Sequence, residues 1–244
     1  MSERALRFDE RRPLAVIGAM PEETGPLLAA AVGAVEERVG PFALHRARLD
    51  GVPVLLVTCG IGKVQAAALT QTLLAHGAAA VLFTGVAGGV DPSLRVGDLV
   101  VADRAVQHDV DVTALGYARG EVPGHPLTWP ADADLTARVR EAAEALAGAE
   151  GLRVVVGTVA SGDRFVADPV DVARLRATFG AACAEMEGAA VAQVCAAWGV
   201  PWAIVRSVSD TADHDAHVDF RAFTEVAAGR AVAVVRRTLV GLAG

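Results

Sequence analysis

The chain has 244 residues, of which 53% are hydrophobic, and a formal net charge of −7 at pH 7. This length suits one α/β domain with a large core, and the acidic balance argues against nucleic acid or an anionic membrane surface as a partner. Apolar runs long enough to cross a membrane are absent from the sequence, so the apolar surplus predicts a large core and a subunit interface.

The N-terminal residues and the cysteines indicate the compartment. Residues 1–12 are charged and lack the apolar stretch of a signal peptide, so we expect a flexible tail there and a single domain over residues 13–244. Cys59, Cys183 and Cys195 fit no disulfide or zinc spacing and lie in apolar surroundings. They predict inert core thiols in a protein of the reducing cytoplasm.

Apolar strands alternate with helical segments along the chain. Buried strands are predicted at 14–19, 79–85, 97–105, 152–160 and 201–205, and a hairpin that turns at Asp50-Gly51 is predicted at 42–50 and 53–59. Helices are predicted from about 21 to 32 and at 63–75, 134–147, 171–179, 188–198 and 220–242. This order indicates an α/β fold, namely a single three-layer domain whose central mixed, mostly parallel twisted sheet is flanked by helices.

Glycine and acidic residues follow two of the early strands, at the edge where open α/β sheets bind ligands. Glu23 comes just after the first strand, and the alternative to a site role is an acid in a first helical turn. Gly88-Gly89 follows the strand at 79–85 and favours either close approach to a ligand or a simple turn, with equal weight. Gly60 and Gly62 also favour backbone contact with a small ligand, since their spacing is not that of a phosphate-binding loop.

Two acidic motifs lie in the C-terminal third of the chain. Glu185 and Glu187 flank a methionine and precede a helix, so their side chains diverge and one acid can face a cleft while the fold holds the other. The alternative is acids that interact with the helix dipole. Asp210 follows Ser209 at the end of the last apolar strand, where burial favours the neutral, proton-donating carboxyl; the alternative is an N-cap for the next helix.

Two polar segments have weaker interpretations. His108, Asp109 and Asp111 are conceivable metal ligands, but their spacing matches no common metal site and a hydrogen-bonded loop is the better interpretation. Residues 116–130 contain three prolines and three glycines and predict a long loop that carries function or contacts a partner.

The carboxyl ends of the strands should bring several of these side chains into one cleft. We expect it to contain Glu23, Gly88, Phe165, Glu187 and Asp210. Three carboxylates suit a reaction with a cationic, sugar-like transition state, and the ring of Phe165 suits stacking on a planar ligand.

In this order and at these spacings, the motifs resemble those of the 5′-methylthioadenosine/S-adenosylhomocysteine nucleosidases of the nucleoside phosphorylase superfamily. The resemblance extends from about Leu14 to Leu242. It rests on residues 17–20 with 22–23, 60–63, 84–89, 96–98, 108–113, 161–165, 185–187 and 205–210.

The resemblance implies hydrolysis of the N-glycosidic bond of these nucleosides to adenine and a thioribose, in methionine salvage, with neither cofactor nor metal. Asp210 resembles the acid that protonates adenine N7, and Glu23 resembles the base that positions the attacking water. The implied substrate-binding residues are Gly88, Phe165, Val166, Met186, Glu187, Ile61, Ser209, Arg206 and Phe220.

The resemblance also assigns a task to each binding residue. Phe165 would stack on adenine, Val166 would present its backbone to the base, Gly88 would line the ribose and base, and Met186 and Glu187 would bind the ribose. Ile61 and Phe220 would face the alkylthio group, Ser209 would hold Asp210, and Arg206 would fix the water.

The resemblance implies a homodimer in which a partner loop near Leu115 and Pro123 closes the pocket over a small nucleoside thioether. Two positions depart from the family pattern. Val86 stands where some members carry serine, and Leu115 stands where an aromatic residue is common. These changes would weaken one polar contact and loosen the thioalkyl pocket.

Three other functions are compatible with this fold. A purine or uridine phosphorylase would need cationic groups for phosphate, whereas residues 19–23 and 82–84 supply an acid and an aromatic ring. An aminodeoxyfutalosine nucleosidase would differ in its substrate. A non-catalytic nucleoside-binding module would not need the three acids Glu23, Glu187 and Asp210 together.

Overall fold

The computed structural model describes residues 6–210 and 216–243. Within these ranges the chain forms ten strands: β1 Leu14–Gly18, β2 Val32–Val39, β3 Phe42–Leu49, β4 Val52–Thr58, β5 Ala80–Gly89, β6 Leu99–Gln107, β7 Trp129–Pro130, β8 Val154–Ser161, β9 Ala181–Glu185 and β10 Trp202–Asp210. The helices within them are α1 Pro21–Ala30, α2 Lys63–Ala75, α3 Ala133–Glu150, α4 Pro169–Phe179, α5 Gly188–Trp198 and α6 Ala216–Ala243. A short 3-10 helix, Thr113–Leu115, begins the long loop before β7.

The strands form one mixed sheet in the order β10-β6-β8-β9-β5-β1-β4-β3-β2, with β7 beside β6. Because β10 also pairs with β5, the strands β5, β10, β6, β8 and β9 close into a ring, and β1, β4, β3 and β2 extend from it. Of the ten pairings among the described residues, five are parallel and five antiparallel. The predicted α/β fold with a central mixed sheet is confirmed, but the sheet is parallel in half of its pairings and not in most of them.

Helices cover both faces of this sheet, as the alternation of side chains along a strand requires. In β1, Ala15 and Ile17 belong to the core cluster that includes α2 and α5. Leu14 and Val16 belong to the opposite cluster, which includes α1, α3 and α6. The three layers are therefore helices, sheet and helices.

Two parts of the structure differ from the elements predicted by sequence. The first helix ends at Ala30, and Val32 begins an edge strand that the sequence did not predict. This strand, β2, is almost fully exposed and carries Glu36 and Glu37, so it lacks the apolar alternation that marks a strand. It exists because β3 pairs with it along one side.

The second difference concerns how far two strands extend. β10 continues beyond Val205 to Asp210, and every one of its residues is buried. β5 continues through Gly88 and Gly89, which pair with Ala184 and Cys183 of β9. The alternative of a simple turn at this glycine pair is wrong, because both glycines belong to an extended strand.

Residues 6–12 run along the surface of the domain. The side chains of Leu6 and Phe8 pack against the cluster that contains α6. The carboxylate of Asp9 accepts the backbone N–H groups of Arg11 and Arg12 at 2.8 Å each. Residues 1–5 lie outside the described part of the chain, and the flexible tail stays a prediction.

Cys59, Cys183 and Cys195 are all buried and free, as expected. Burial raises the pKa of each thiol, so the reactive thiolate is disfavoured at all three positions. None of the described helices is both long and apolar enough to span a membrane.

Two neighbouring residues of α6 test the importance of its buried face. Leu239 is fully buried, whereas Val240 is 61% exposed. Leu239→Ala should lower the free energy of unfolding by about 2–5 kcal/mol because it leaves a cavity, and Val240→Ala should change it by less than about 0.5 kcal/mol. Urea unfolding measures both, and equal losses for the two variants would contradict the assigned packing.

Candidate active site

The carboxyl ends of several strands meet around one pocket, a cavity of about 180 Å³ that is open to solvent. β5 and β9 overlap by only two residue pairs, at their carboxyl ends, and Asp210 of β10 lies beside Gly88 of β5. Ser161, the last residue of β8, lies beside Glu185, the last residue of β9. The carboxyl ends of four strands are thus brought together, which is the convergence that the sequence predicted.

Ten of the eleven predicted site residues line this pocket: Glu23, Ile61, Gly88, Phe165, Val166, Met186, Glu187, Ser209, Asp210 and Phe220. Arg206 is the exception, because it is 1% exposed and lies beneath the lining. Arg206 therefore does not reach the pocket surface, where the resemblance placed its contact with an attacking water. Glu185, which the sequence marked only as an acid held by the fold, also lines the pocket.

Backbone donors hold the carboxylate of Glu23 in place. Its Oε2 accepts the N–H groups of Ala19 at 2.6 Å and Met20 at 2.9 Å, and its Oε1 accepts the N–H of Val86 at 3.0 Å. Burial raises the pKa of this carboxyl, while the positive charge of Arg206 and the three hydrogen bonds oppose that rise. Glu23 therefore both caps α1 and lines the pocket.

Gly85 leaves the space in which Glu23 and Arg206 approach each other. A Cβ atom at this position would collide with the Oε1 atom of Glu23 and with the Nη1 atom of Arg206. A side chain of any kind at residue 85 would therefore displace the carboxylate, the guanidinium or the strand. The sequence analysis did not single out this glycine.

The two acids around Met186 have different partners, as the divergence of their side chains predicted. Glu187 accepts the N–H of Gly62 through Oε1 at 2.8 Å, so this loop glycine contacts a carboxylate. Glu185 binds the N–H of Gly188 with both oxygens, at 3.0 and 2.8 Å, and accepts a hydrogen bond from the Ser161 hydroxyl. Burial first, and then the charge of Glu185, raise the pKa of Glu187 to about 7.

Arg206 is the buried cation that faces these acids. It forms an ion pair with Glu185, its Nη1 donates to the carbonyl oxygen of Thr84 at 3.0 Å, and its Nη2 lies 3.8 Å from Oε2 of Glu187. Its guanidinium carbon lies 4.0 Å from the centre of the Phe83 ring. Burial lowers the pKa of Arg206, but the carboxylates of Glu185, Glu23 and Glu187 raise this pKa by more than burial lowers it. The guanidinium therefore stays charged.

Asp210 closes the pocket at the end of β10. It is 1% exposed, and the hydroxyl of Ser209 donates to its Oδ2 at 2.9 Å. The residues that follow, 211–215, lie outside the described part of the chain, so the alternative of an N-cap stays untested. The rings of Phe165 and Phe220 meet edge to face at the pocket, with centroids 5.7 Å apart and planes at 80°.

The polar segment around residue 109 forms a hydrogen-bonded loop. Asp109 binds Lys63 at 2.6 Å, and Asp111 accepts from Thr113 and pairs with Arg119. In the described part of the chain, no group of three or more His, Cys, Asp or Glu side chains is arranged to hold a metal ion.

Comparisons with known proteins identify a family and solved structures that are similar to this chain. Residues 13–240 match the family model described as the phosphorylase superfamily. A relative from Geobacillus kaustophilus, named 5′-methylthioadenosine/S-adenosylhomocysteine nucleosidase, is 46% identical over 223 residues, which cover 91% of this chain and 94% of the relative.

Two solved structures show the same fold. A nucleosidase of the same name from Colwellia psychrerythraea, in complex with adenine, superposes with a TM-score of 0.90 at 37% identity and covers 97% of each chain. A futalosine hydrolase from Helicobacter pylori superposes with a TM-score of 0.87 at 34% identity, covering 93% of this chain and 97% of the other.

The raised pKa of Glu187 predicts a pH-dependent stability. The folded protein holds this proton up to a pH of about 7, whereas the reference pKa is 4.5, so the folded state binds more protons between these values. The contribution of the protonated Glu187 carboxyl to the free energy of unfolding is therefore complete below about pH 4.5 and is lost as the pH rises through 7. Glu187→Gln, which carries no charge, should gain stability relative to wild type across this range.

Urea unfolding of both proteins from pH 5 to pH 8 measures this difference. Glu144→Gln is the matched control, because Glu144 is 60% exposed on α3. Its difference from wild type should be the same at every pH. A pH-independent difference for Glu187→Gln would show that its carboxyl is not held neutral by the fold.

Proposed function

This chain belongs to the 5′-methylthioadenosine/S-adenosylhomocysteine nucleosidase family of the phosphorylase superfamily, and we propose that it hydrolyses the N-glycosidic bond of both of these nucleosides. The observation that carries the proposal is the placement of Glu23, Glu187 and Asp210 around one pocket beside an aromatic ring. Its products would be adenine and a thioribose, as in methionine salvage.

Departure of adenine is the step that needs an acid. Adenine is a poor leaving group as an anion, so protonation at N7 lowers the barrier, and general acid catalysis of this kind contributes about 10²–10⁴-fold. Asp210 is buried at the pocket, and its Oδ2 accepts a hydrogen bond from the hydroxyl of Ser209. We assign it the proton that passes to N7 as the bond to the sugar breaks.

The attacking water, which is the other reactant, needs a carboxylate that is held in a fixed position to bind it. A carboxylate offers about four lone-pair sites. Three of those on Glu23 are occupied by backbone N–H groups, which leaves one on Oε1 for the attacking water. The water then gives its proton to Glu23 as its oxygen bonds to the sugar carbon, C1′.

Charge in the pocket stabilises the transition state. Positive charge develops on the ribose as adenine leaves, and the acids of the lining place negative charge nearby. Glu187 has one oxygen bound to the N–H of Gly62 and a second that is available for the sugar hydroxyl groups. Arg206 supports this arrangement from beneath by fixing Glu185 and facing Glu187, rather than by touching the substrate.

The other binding residues lie where the substrate's parts would need them. Phe165 and Phe220 form an aromatic corner of the pocket, with Val166 beside Phe165 for the base. Ile61 is 57% exposed at the lining and suits the alkylthio group.

The pocket is poorly suited to the phosphate of a phosphorylase. Four acids line it, and Arg164 is the only basic residue among the lining residues of the described chain. Arg164 is exposed and pairs with Asp171 at 2.9 Å. An anionic co-substrate would therefore meet no cation that is not already paired with a carboxylate, since Arg206 beneath the lining is paired with Glu185, and this favours water as the nucleophile.

We further propose a homodimer in which a partner loop completes the thioalkyl end of the pocket. Leu115 is 74% exposed, and neither it nor Pro123 lines the pocket of its own chain. An exposed apolar residue on a long loop suits burial against a second copy. The same loop would influence which 5′ substituent fits.

The proposed function is tested by adenine release from methylthioadenosine and S-adenosylhomocysteine, with and without inorganic phosphate. We expect release of adenine from both nucleosides at a rate that phosphate does not change. A strict requirement for phosphate would identify a phosphorylase. Turnover of aminodeoxyfutalosine at a much higher kcat/KM than either nucleoside would favour the alternative of an aminodeoxyfutalosine nucleosidase.

Two conservative variants separate the acid from the base. Asp210→Asn and Glu23→Gln should each lower kcat by about 10²–10⁴-fold, because each removes one proton-transfer group. Asp210→Asn should lose less activity on a nucleoside whose base leaves readily without protonation, whereas Glu23→Gln should lose as much on both. Glu22→Gln, at an exposed neighbour of Glu23, is the control and should retain activity. Normal turnover by either test variant would remove its assigned role.

A further inference from the structure

The only lysine of the chain, Lys63, lies at the start of α2 next to the pocket but outside the proposed catalytic groups. Its amine donates to Oδ1 of Asp109 at 2.6 Å and to Oε1 of Gln107 at 3.0 Å. The chain thus places its single ammonium group between the end of β6 and the start of α2. A cation committed to a particular carboxylate in this way suggests a structural task.

Three hydrogen bonds join Lys63, Asp109 and Asp163 into a closed ring, which we call the rim triad. The Lys63 amine binds Oδ1 of Asp109, the backbone N–H of Asp163 donates to Oδ2 of Asp109 at 2.9 Å, and the backbone N–H of Lys63 donates to Oδ1 of Asp163 at 2.9 Å. Each carboxylate therefore bridges two segments that are far apart in sequence. The ring ties the start of α2, the end of β6 and the loop after β8 together.

The segments joined by the rim triad carry pocket residues. Ile61 and Gly62, whose N–H binds Glu187, immediately precede Lys63. Phe165 follows Asp163 by two residues. Movement of either segment would therefore change the distance between Ile61 and Phe165, which both line the proposed nucleoside site.

The carboxylates of the proposed base and acid, Glu23 and Asp210, are held by other bonds. Glu23 is fixed by backbone groups of Ala19, Met20 and Val86, and Asp210 belongs to β10. Loss of the rim triad would therefore loosen the binding walls and leave the acid and the base in place. This separation allows the two effects to be measured independently.

The ion pair within the rim triad is partly shielded from water. The side chains of Lys63 and Asp109 are 15% and 20% exposed. Partial burial raises the pKa of Asp109, but the hydrogen bonds from Lys63 and from the Asp163 backbone outweigh it and lower this pKa. A pair that is shielded in this way is coupled more strongly than an exposed one.

We propose that Lys63 is a positioning residue that, through Asp109 and Asp163, fixes the spacing between Ile61 and Phe165 and so determines how tightly the pocket binds its nucleoside. The proposal rests on the proposed function, because the nucleoside is the ligand whose binding it sets.

Lys63→Met keeps most of the length of the side chain and the backbone N–H but removes the charge. It should raise KM for methylthioadenosine about tenfold and lower kcat by less than about threefold, because the lost interactions contribute about equally to the binding of the substrate and of the transition state. Lys63→Arg, which keeps the cation, should recover part of the lost affinity. A fall in kcat with unchanged KM would overturn the proposal.

A double-mutant cycle tests the pairing. Asp109→Asn should also raise KM. The double variant, Lys63→Met with Asp109→Asn, should raise KM by less than the product of the two single effects, because removing both charges leaves no shielded charge unpaired. Arg236→Met removes an ion pair of the same 2.6 Å length, to Asp50, and is the matched control. It should leave KM unchanged, and multiplicative single effects in the cycle would overturn the pairing.

Amide hydrogen exchange provides a readout that does not depend on turnover. In Lys63→Met, exchange should accelerate in residues 60–63 and 161–165 and stay as in wild type in the core strands, whereas Arg236→Met should change neither pocket segment. Uniform acceleration, or no change at both segments, would overturn the proposal. If wild type released no adenine, the proposed function would fail while the exchange result would still decide whether the rim triad holds these segments.

Discussion

One buried arginine makes the acidic interior of this protein possible. Glu23, Glu185 and Glu187 are all removed from water, and Arg206 is the cation that faces the three of them. Isolated carboxylates would become neutral at such sites or destabilise the fold. Arg206 pairs fully with Glu185, which leaves the other two acids only partly compensated. They are consequently able to respond to a developing positive charge on a ligand.

The strand arrangement brings these charged side chains into a small volume. β5 and β9 overlap by two residue pairs, and the last residues of β8 and β10 lie beside that overlap. Side chains from four strands therefore meet without a long loop to carry them. The cost is steric, since backbone and charged groups crowd together, and Gly85 is the residue that accommodates them.

The sequence predicted most of the pocket but little of what supports it. Glu23, Glu187 and Asp210 follow apolar strands or precede a helix, and that position in the sheet is a local signal. The supporting contacts join residues that are far apart in sequence, from 21 residues between Arg206 and Glu185 to 122 residues between Arg206 and Thr84. Motif spacing cannot reveal such contacts, and the same holds for the partners of Ser161 and Gly85. The edge strand β2 escaped prediction for a similar reason, because pairing with β3 and not its own pattern makes it a strand.

The hold on Glu23 has a consequence for how such a protein can diverge. Within the described part of the chain, the three hydrogen-bond donors to Glu23 are the backbone amides of Ala19, Met20 and Val86, so these bonds do not depend on which side chain stands at those positions. Valine in place of serine at residue 86 therefore leaves the bond to Glu23 intact, and only proline would abolish a donor. Evolutionary drift in the surrounding side chains can reshape what enters the pocket while the carboxylate keeps its place.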